Sequence, residues 1–410
     1  MSLKILFAHE KIDSIDGAIN HLNKSGVWPF FDERSISFIQ KFSSILLKYP
    51  NIKKYPDLVA LAYWFRRSNL FKLKQNYNNT NDYIRLGRGI SLHIAPSNVD
   101  TIFVYSFFLS LLAGNLSFIR VSQNESPQLN IILKVFHDIY SSGDTETAAR
   151  FVICTYPHES EATKILSNNC ELRIIWGGDD TVRTITSIPL KPTALEIKFP
   201  NRTSFSAVKL EAIEAINDKD LFRLCTKFYS DIQLFGQQAC SSPLALYFVG
   251  PSCKKDQSER FWICFKEASK SHNLSSSEVM DRFVAASNMA ISEQIEKSQS
   301  TFNFNNVTVL DGELSSNLSF REGHSGNGLL IQYHVNKLSD LINHLVPKDQ
   351  TLSIFGFSHK EIKIFLSSLT NRSIDRVVPI GQALDFGNIW DGIDLLDTMC
   401  RKIDLTKIKG

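Results

Sequence analysis

One of the seven cysteines stands where a nucleophile could work. The segment Gln237-Gln-Ala-Cys240-Ser-Ser-Pro243 places a thiol among small residues in a turn, directly before the apolar run Leu244-Ala-Leu-Tyr-Phe-Val249, which reads as a strand. Small neighbours leave a sulfur accessible, and the N–H groups of a turn can both lower a thiol pKa and hold an oxyanion. A structural cysteine in a turn would use the same residue types, so the segment acquires meaning only in company. The other cysteines, at 154, 170, 225, 253, 264 and 400, form no CxxC pair and no zinc-type His spacing. They read as reduced, mostly buried thiols, and no metal site is expected.

Three further segments carry polar groups at turns. In His93-Ile-Ala-Pro96-Ser-Asn98 a strand ends in a polar turn and leads into the apolar helix Val99 to Ala113. The Asn98 amide could donate to an oxyanion, and helix capping by Ser97 or Asn98 explains the same residues. In Gly114-Asn-Leu-Ser-Phe-Ile-Arg120-Val-Ser122 a helix end precedes a strand whose tip offers a cation and a hydroxyl, suited to ribose or phosphate, or simply a solvated arginine. Trp176-Gly177-Gly178-Asp-Asp-Thr-Val-Arg reads as strand, glycine turn and helix start, where N–H groups could face a pyrophosphate. It lacks the GxGxxG spacing and also fits an ordinary βα turn.

Positioning these turns falls to alternating elements. Asp16 to Phe71 has mostly helical periodicity, and Gln75 to Asp82 is a polar loop. From Ile90 strand and helix alternate: strands at Ile90, Ser117, Phe151 and Leu172, helices over Ser126 to Tyr140 and Glu159 to Ser167. This βαβ rhythm predicts a parallel sheet with helices on both faces, whose ligands sit beyond the carboxyl ends of the strands. A second alternating region runs from Phe205 past Leu244 to Val249 and on to Thr351. Ser298 to Gly328, rich in Ser, Asn and Gly, reads as surface loops. The expected division is a helical region at 1–85 packing on a cofactor domain at 86–204, a catalytic domain at 205–380 carrying Cys240, and a segment at 381–410 returning to the cofactor domain.

With 410 residues, 43% of them hydrophobic, the chain can bury a large core in two or three folding units. Its 45 Lys and Arg against 42 Asp and Glu leave a net charge of +3, too thin to attract nucleic acid. Met1 to Phe7 meets charged residues too soon for a secretory segment. The longest apolar stretch, Thr101 to Ala113, is too short to span a bilayer.

Together and in this order the segments resemble those of the aldehyde dehydrogenase superfamily, in its LuxC-like acyl-CoA reductase branch. Pro96-Ser-Asn98 is similar to the Pro-Trp-Asn turn, Gly114-Asn with Arg120-Val-Ser122 to the Gly-Asn-(x)4-Lys-Pro-Ser/Ala motif, Trp176-Gly-Gly-Asp to the Phe-Thr-Gly-Ser turn, and Gln238-Ala-Cys240 to the Gly-Gln-x-Cys nucleophile. The branch is marked by Gln-Gln-Ala-Cys-Ser-Ser-Pro, by Trp-Gly-Gly-Asp-Asp-Thr-Val-Arg and by Val378-Pro-Ile-Gly-Gln-Ala-Leu-Asp-Phe-Gly-Asn-Ile-Trp-Asp-Gly392.

The resemblance implies an α/β, aldehyde dehydrogenase-like fold: two Rossmann-like parallel-sheet domains after an N-terminal helical region. It implies that a fatty acyl thioester, on CoA, an acyl carrier protein or another protein, is reduced to an aldehyde through a Cys240 acyl-enzyme, with Asn98 in the oxyanion hole. Pro96, Arg120, Ser122, Trp176, Gly177 and Gly178 would bind the cofactor, and the Arg120 fork favours NADPH, with NADH possible. An acyl-protein synthetase or transferase partner, a homo-oligomer and a cytoplasmic setting go with it.

The pattern is broken in three places. Glu196 is the candidate general base, although another register puts Phe199 there. Arg321-Glu-Gly-His-Ser-Gly lacks the Glu-x-Phe-Gly-Pro pattern that orients the nicotinamide ribose, and Gly-Gln-Gln-Ala-Cys carries one extra residue. A working Glu196 would instead suit an NAD(P)-dependent aldehyde dehydrogenase, and lost chemistry a non-catalytic carrier-binding protein.

Overall fold

The computed structural model describes residues 3–77, 82–96, 99–157, 160–251, 254–271, 274–292, 302–304, 306–314 and 319–406. The chain divides into two compact units, residues 1–201 with 386–410 and residues 202–385.

The first unit is built on β1 (Lys4–Phe7), β3 (Ile90–Ile94), β4 (Leu116–Arg120), β5 (Phe151–Thr155), β6 (Leu172–Trp176) and β7 (Leu195–Phe199), while β2 (Tyr83–Gly87) pairs antiparallel with the strand Cys400–Asp404. The six strands lie in the order β1-β5-β4-β3-β6-β7, parallel except for β1. Strands β3 to β6 are buried along their whole length, as expected for a parallel sheet covered on both faces, so the polar residues among them, such as Ser91 and His93, are buried too. Ile90, Leu92, Phe118, Val152 and Cys154 pack under the helices Ile15–Asn23, Ala162–Asn169 and Asp179–Thr186. On the other face Ile119, Phe151, Ile153, Leu172 and Ile174 meet Glu33–Leu47, Thr101–Leu112 and Pro127–Ser141.

The N-terminal region read as helical thus also supplies an edge strand. Lys4-Ile-Leu-Phe7 pairs with β5 from Thr155 to Ile153, a contact too distant in sequence for local periodicity to show.

In the second unit β8 (Thr203–Lys209), β9 (Pro243–Val249), β10 (Phe302–Phe304), β11 (Val307–Asp311), β12 (Leu329–Val335), β13 (Asp349–Phe355) and β14 (Arg376–Pro379) form a sheet in the order β10-β11-β12-β9-β8-β13-β14. All neighbours are parallel except β10 and β11. One face packs against Ser276–Ser292 and His359–Ser367, the other against Asp218–Gln233 and Lys255–Ala268.

Here one expectation fails: 298–328 is not all surface loop, because β11 lies inside it with Val307 and Val309 fully buried. With β10 beside it, eight described residues of strand among Ser, Asn and Gly are too few to change the composition of the window. Elsewhere the helices begin and end within a few residues of their expected bounds.

Candidate active site

The two units place their polar turns differently. Because β8 and β9 are parallel, the helix Asp218–Gln233 must carry the chain back to the starting edge of the sheet. The turn with Cys240 therefore sits at the amino end of β9, directly before the strand as the order of residues implied, and not at the carboxyl edge where ligands of such sheets usually lie.

That turn is fixed from the neighbouring strands. The Ser204 hydroxyl on β8 donates to the Cys240 carbonyl at 2.6 Å and accepts from the Thr351 N–H on β13 at 3.1 Å. Ser242 N–H closes the turn on the Ala239 carbonyl at 2.9 Å. Upstream, Phe235, Gly236 and Gln237 all take left-handed backbone, with φ of 59°, 57° and 63°. For a residue with a Cβ this costs about 1–2 kcal/mol, so the surrounding contacts must impose it at Phe235 and Gln237. Neither Ser204 nor the left-handed turn could be found from the sequence, though the extra residue in Gly-Gln-Gln-Ala-Cys falls at this point.

The cysteines separate by environment. Cys240 is partly exposed, whereas Cys154, Cys170, Cys225 and Cys400 are buried. Burial pushes the thiols of Cys170 and Cys400 up to about 11 and those of Cys154 and Cys225 higher still. Cys264, on the helix Lys255–Ala268, is partly exposed and also raised by burial. Cys253 lies outside the described residues.

In the first unit β4, β3 and β6 are consecutive, so their carboxyl ends present three turns side by side. Pro96 follows β3, and Ser97 and Asn98 lie outside the described residues. Arg120 is not a solvated strand end: it is 6% exposed, its guanidinium lies 5.7 Å from the Tyr156 ring centroid, and it donates to the Tyr156 carbonyl at 3.4 Å. Burial lowers its pKa. The half-buried Ser122 accepts from the Asn124 N–H at 3.2 Å.

Gly177 donates to the Phe199 carbonyl, and Gly178 starts the helix Asp179–Thr186. Asp179 and Asp180 occupy its first turn, where they already complement the positive helix end, so an anion would share that end with two carboxylates. A cation, a hydroxyl and a glycine turn at adjacent strand ends nonetheless fit a dinucleotide laid along this edge.

Trp176 is held from two sides. Its ring stacks on Phe199 at 3.8 Å, and its indole N–H donates to Ser106 Oγ at 3.2 Å. Ser106 also bonds His93 Nδ1, and His93 Nε2 bonds Ser91. Burial pushes His93 down to about 3, so this chain of hydroxyls surrounds a neutral imidazole. Trp390 meets Trp176 edge-on at 5.6 Å, which brings two of the branch-marking segments together.

Glu196 points away from Phe199 on β7 and accepts from Arg173 Nε at 2.6 Å. The Arg173 side chain is buried, and Lys198 stands 3.8 Å from the same carboxylate. Phe199, the other register's candidate, is buried and carries no base. Arg321 grips Asp349 with two bonds, at 2.9 and 2.7 Å, and Glu322 is exposed.

The fold is that of the aldehyde dehydrogenases. A putative aldehyde dehydrogenase from Burkholderia cenocepacia superposes with a TM-score of 0.65 over 95% of this chain and 90% of its own, at 14% identity. An indole-3-acetaldehyde dehydrogenase from P. syringae gives 0.69 over 98% and 94%, at 11% identity.

Within that fold, residues 68–301 match the model of the acyl-CoA reductase (LuxC) family, and since this is more than half of the chain, the chain belongs to that family. It is 25% identical over 166 residues to the long-chain acyl-protein thioester reductase of Aliivibrio fischeri and 24% over 164 residues to that of Photorhabdus laumondii subsp. laumondii. Each match covers 40% of this chain but only 32% of the relative. Among the described residues no helix is long and apolar enough to cross a membrane.

Proposed function

We propose that the chain reduces a fatty acyl thioester to an aldehyde through an acyl-enzyme on Cys240. The observation that carries the reading is the Cys240 turn itself: in a member of this family, a partly exposed thiol in a small-residue turn has its main chain fixed by Ser204, while the buried thiols are held protonated.

The Cys240 thiolate attacks the thioester carbonyl, and the Cys240 N–H and the Asn98 amide receive the developing oxyanion. The tetrahedral intermediate collapses with loss of the carrier thiolate, which takes up a proton. When bound, a reduced nicotinamide would supply hydride to the acyl-enzyme carbonyl, and the Cys240 N–H and the Asn98 amide would hold the resulting thiohemiacetal oxyanion. Collapse of that oxyanion would expel the Cys240 thiolate and release the aldehyde.

Pro96, Arg120, Ser122, Trp176, Gly177 and Gly178 would hold the cofactor along the carboxyl edge of the first sheet. The buried guanidinium of Arg120 suits a 2′-phosphate and hence NADPH. The similarity to acyl-protein thioester reductases favours an acyl-protein or acyl carrier protein substrate, delivered by a synthetase or transferase partner in the cytoplasm, with CoA as an alternative carrier. A homo-oligomer belongs to the same reading.

The ion pair with Arg173 disfavours the aldehyde dehydrogenase alternative, since it holds the Glu196 carboxylate in a role other than activating water. An acyl-enzyme without such a base waits for hydride.

The test is intact-mass spectrometry of the protein with a long-chain acyl thioester, before and after NADPH. The expected result is a stable adduct on Cys240 that NADPH discharges as aldehyde. Rapid release of free acid would restore Glu196 as a base, and no reaction with any carrier would leave a non-catalytic binding protein.

A further inference from the structure

The strain upstream of Cys240 has a specific holder. Gln237 is 2% exposed and left-handed, and every polar atom of its side-chain amide has a partner. Nε2 donates to the Pro243 carbonyl at 2.8 Å and to the Leu329 carbonyl at 2.9 Å, and Oε1 accepts from the Gly328 N–H at 2.9 Å. Two carbonyls on one side and one N–H on the other leave a single amide orientation that satisfies all three. Pro243 and Leu329 are the first residues of β9 and β12, which run parallel as neighbours. The amide therefore acts as one more rung at the amino end of that ladder, where main-chain pairing stops.

The surrounding contacts repeat the connection. Asn327 N–H donates to the Gly236 carbonyl at 2.9 Å, and Gln238 Nε2 donates to the Ser325 carbonyl at 2.7 Å. At Gly326, φ is +71° and a Cβ would stand 2.4 Å from the Gly236 carbonyl oxygen, so only glycine permits this approach. The segment 236–238 is thus sewn to 325–329, and Cys240 follows two residues later.

We infer that Gln237 is a positioning residue for the nucleophile: its buried amide locks the left-handed turn to the start of β12 and so fixes where the Cys240 thiol and N–H point. This rests on the assignment of Cys240 as the nucleophile. The three partners of its amide are main-chain groups of Pro243, Leu329 and Gly328, so its part is to hold the turn. It acts by making the turn a continuation of the sheet, so that attack begins from one geometry rather than from a set of turn conformers.

Two variants test it. Gln237→Met keeps the length of the side chain and removes every polar partner, and Gln237→Glu keeps the shape and the acceptor but can donate only when protonated. For each, the rates of Cys240 alkylation by iodoacetamide and of acyl-adduct formation are read by mass spectrometry, beside NADPH affinity and the melting temperature. Gln237→Met is expected to slow both Cys240 rates by about tenfold or more, since small misplacements of reacting groups cost factors of that order, with NADPH affinity within about twofold of wild type.

Gln237→Glu should recover part of both rates at low pH and lose them as pH rises. A carboxylate facing two carbonyls in a dry site is disfavoured, so its protonated, donating form persists above the usual carboxyl range. The wild type should lack this added pH step. A folded Gln237→Met with both rates within about twofold of wild type overturns the inference. If Gln237→Met does not fold, the Glu variant decides: the added pH step supports the inference and its absence overturns it. Alkylation needs neither substrate nor cofactor, so the outcome is separable from the reductase reading, which fails on its own terms if Cys240→Ala still makes aldehyde.

Discussion

In the first unit the polar turns follow β3, β4 and β6, so they lie where strands end and helices begin, whereas in the second unit Cys240 precedes its strand, at an edge where a helix has just delivered the chain. The two edges offer different materials. A strand-to-helix turn presents N–H groups and leaves room for a ligand laid across several strand ends. A turn entering a strand is clasped by the neighbouring strands, as Ser204 on β8 and Leu329 on β12 clasp the turn of Cys240. Binding a long cofactor calls for the first kind of edge, and aiming one reactive atom calls for the second.

The largest expected effect tests the clasped edge. Cys240→Ala should abolish aldehyde formation, by about 10³-fold or more, while Cys225→Ala and Cys253→Ala keep most of it. Aldehyde yield with NADPH measures this, and rapid activity-linked alkylation of another cysteine would break the contrast. Next, Asn98→Ala should lower kcat by about 10²-fold or more if its amide holds the oxyanion. A capping role would instead cost ~1 kcal/mol of stability with nearly normal kcat, so kcat and the denaturant midpoint on one variant separate the two.

At the cofactor edge the expected effect is smaller. Arg120→Met, which keeps much of the buried volume, should raise KM for NADPH by about tenfold and change KM for NADH far less, as for the loss of one charged hydrogen-bond donor. Equal effects on both cofactors would remove the reason for preferring NADPH.

The smallest effect is on stability, and its sign differs between Asp231 of the second unit and His93 of the first. Asp231 in the second unit accepts from the Gly381 and Ala383 N–H groups, and burial pushes its carboxyl up to about 7. Its folded value lies above the unfolded one, so its contribution is full below about pH 4 and is lost as pH rises towards 7. His93 in the first unit is held down at about 3, so its contribution is full above about pH 6.5 and is lost as pH falls. His324 of the second unit, half-buried and pushed down by desolvation to about 4, acts in the same direction as His93.

Melting curves from pH 4 to 7.5 should therefore respond oppositely to two substitutions. Asp231→Asn should make stability rise more steeply with pH, and His93→Asn less steeply, each by a few degrees in Tm, ~1 kcal/mol or more over the range. Parallel curves for wild type and both variants would mean that neither group titrates with folding.

Much of this molecule was legible in the chain. The buried runs at Leu172-Arg-Ile-Ile-Trp176 and Leu244 to Val249 announced interior strands, and Gln-Gln-Ala-Cys240-Ser-Ser-Pro and Trp-Gly-Gly-Asp-Asp marked the two turns to which function is assigned in the proposal, because apolar run length and turn residues are local properties. Glu196 could be singled out by its place in sequence, but only the pairing of β6 with β7 sets Arg173 beside it. The strand Val307–Asp311 was hidden by its polar neighbours, and β1 by the distance to its partner β5.

That Ser204 fixes the Cys240 carbonyl, and that Gln237 is folded inward onto β9 and β12, depend on residues ~40 to ~150 positions apart brought together by parallel pairing. Residue type and spacing determined which groups this protein has to work with. The tertiary structure decided how they are held, because the hydrogen bonds that aim them come from strands far away in sequence.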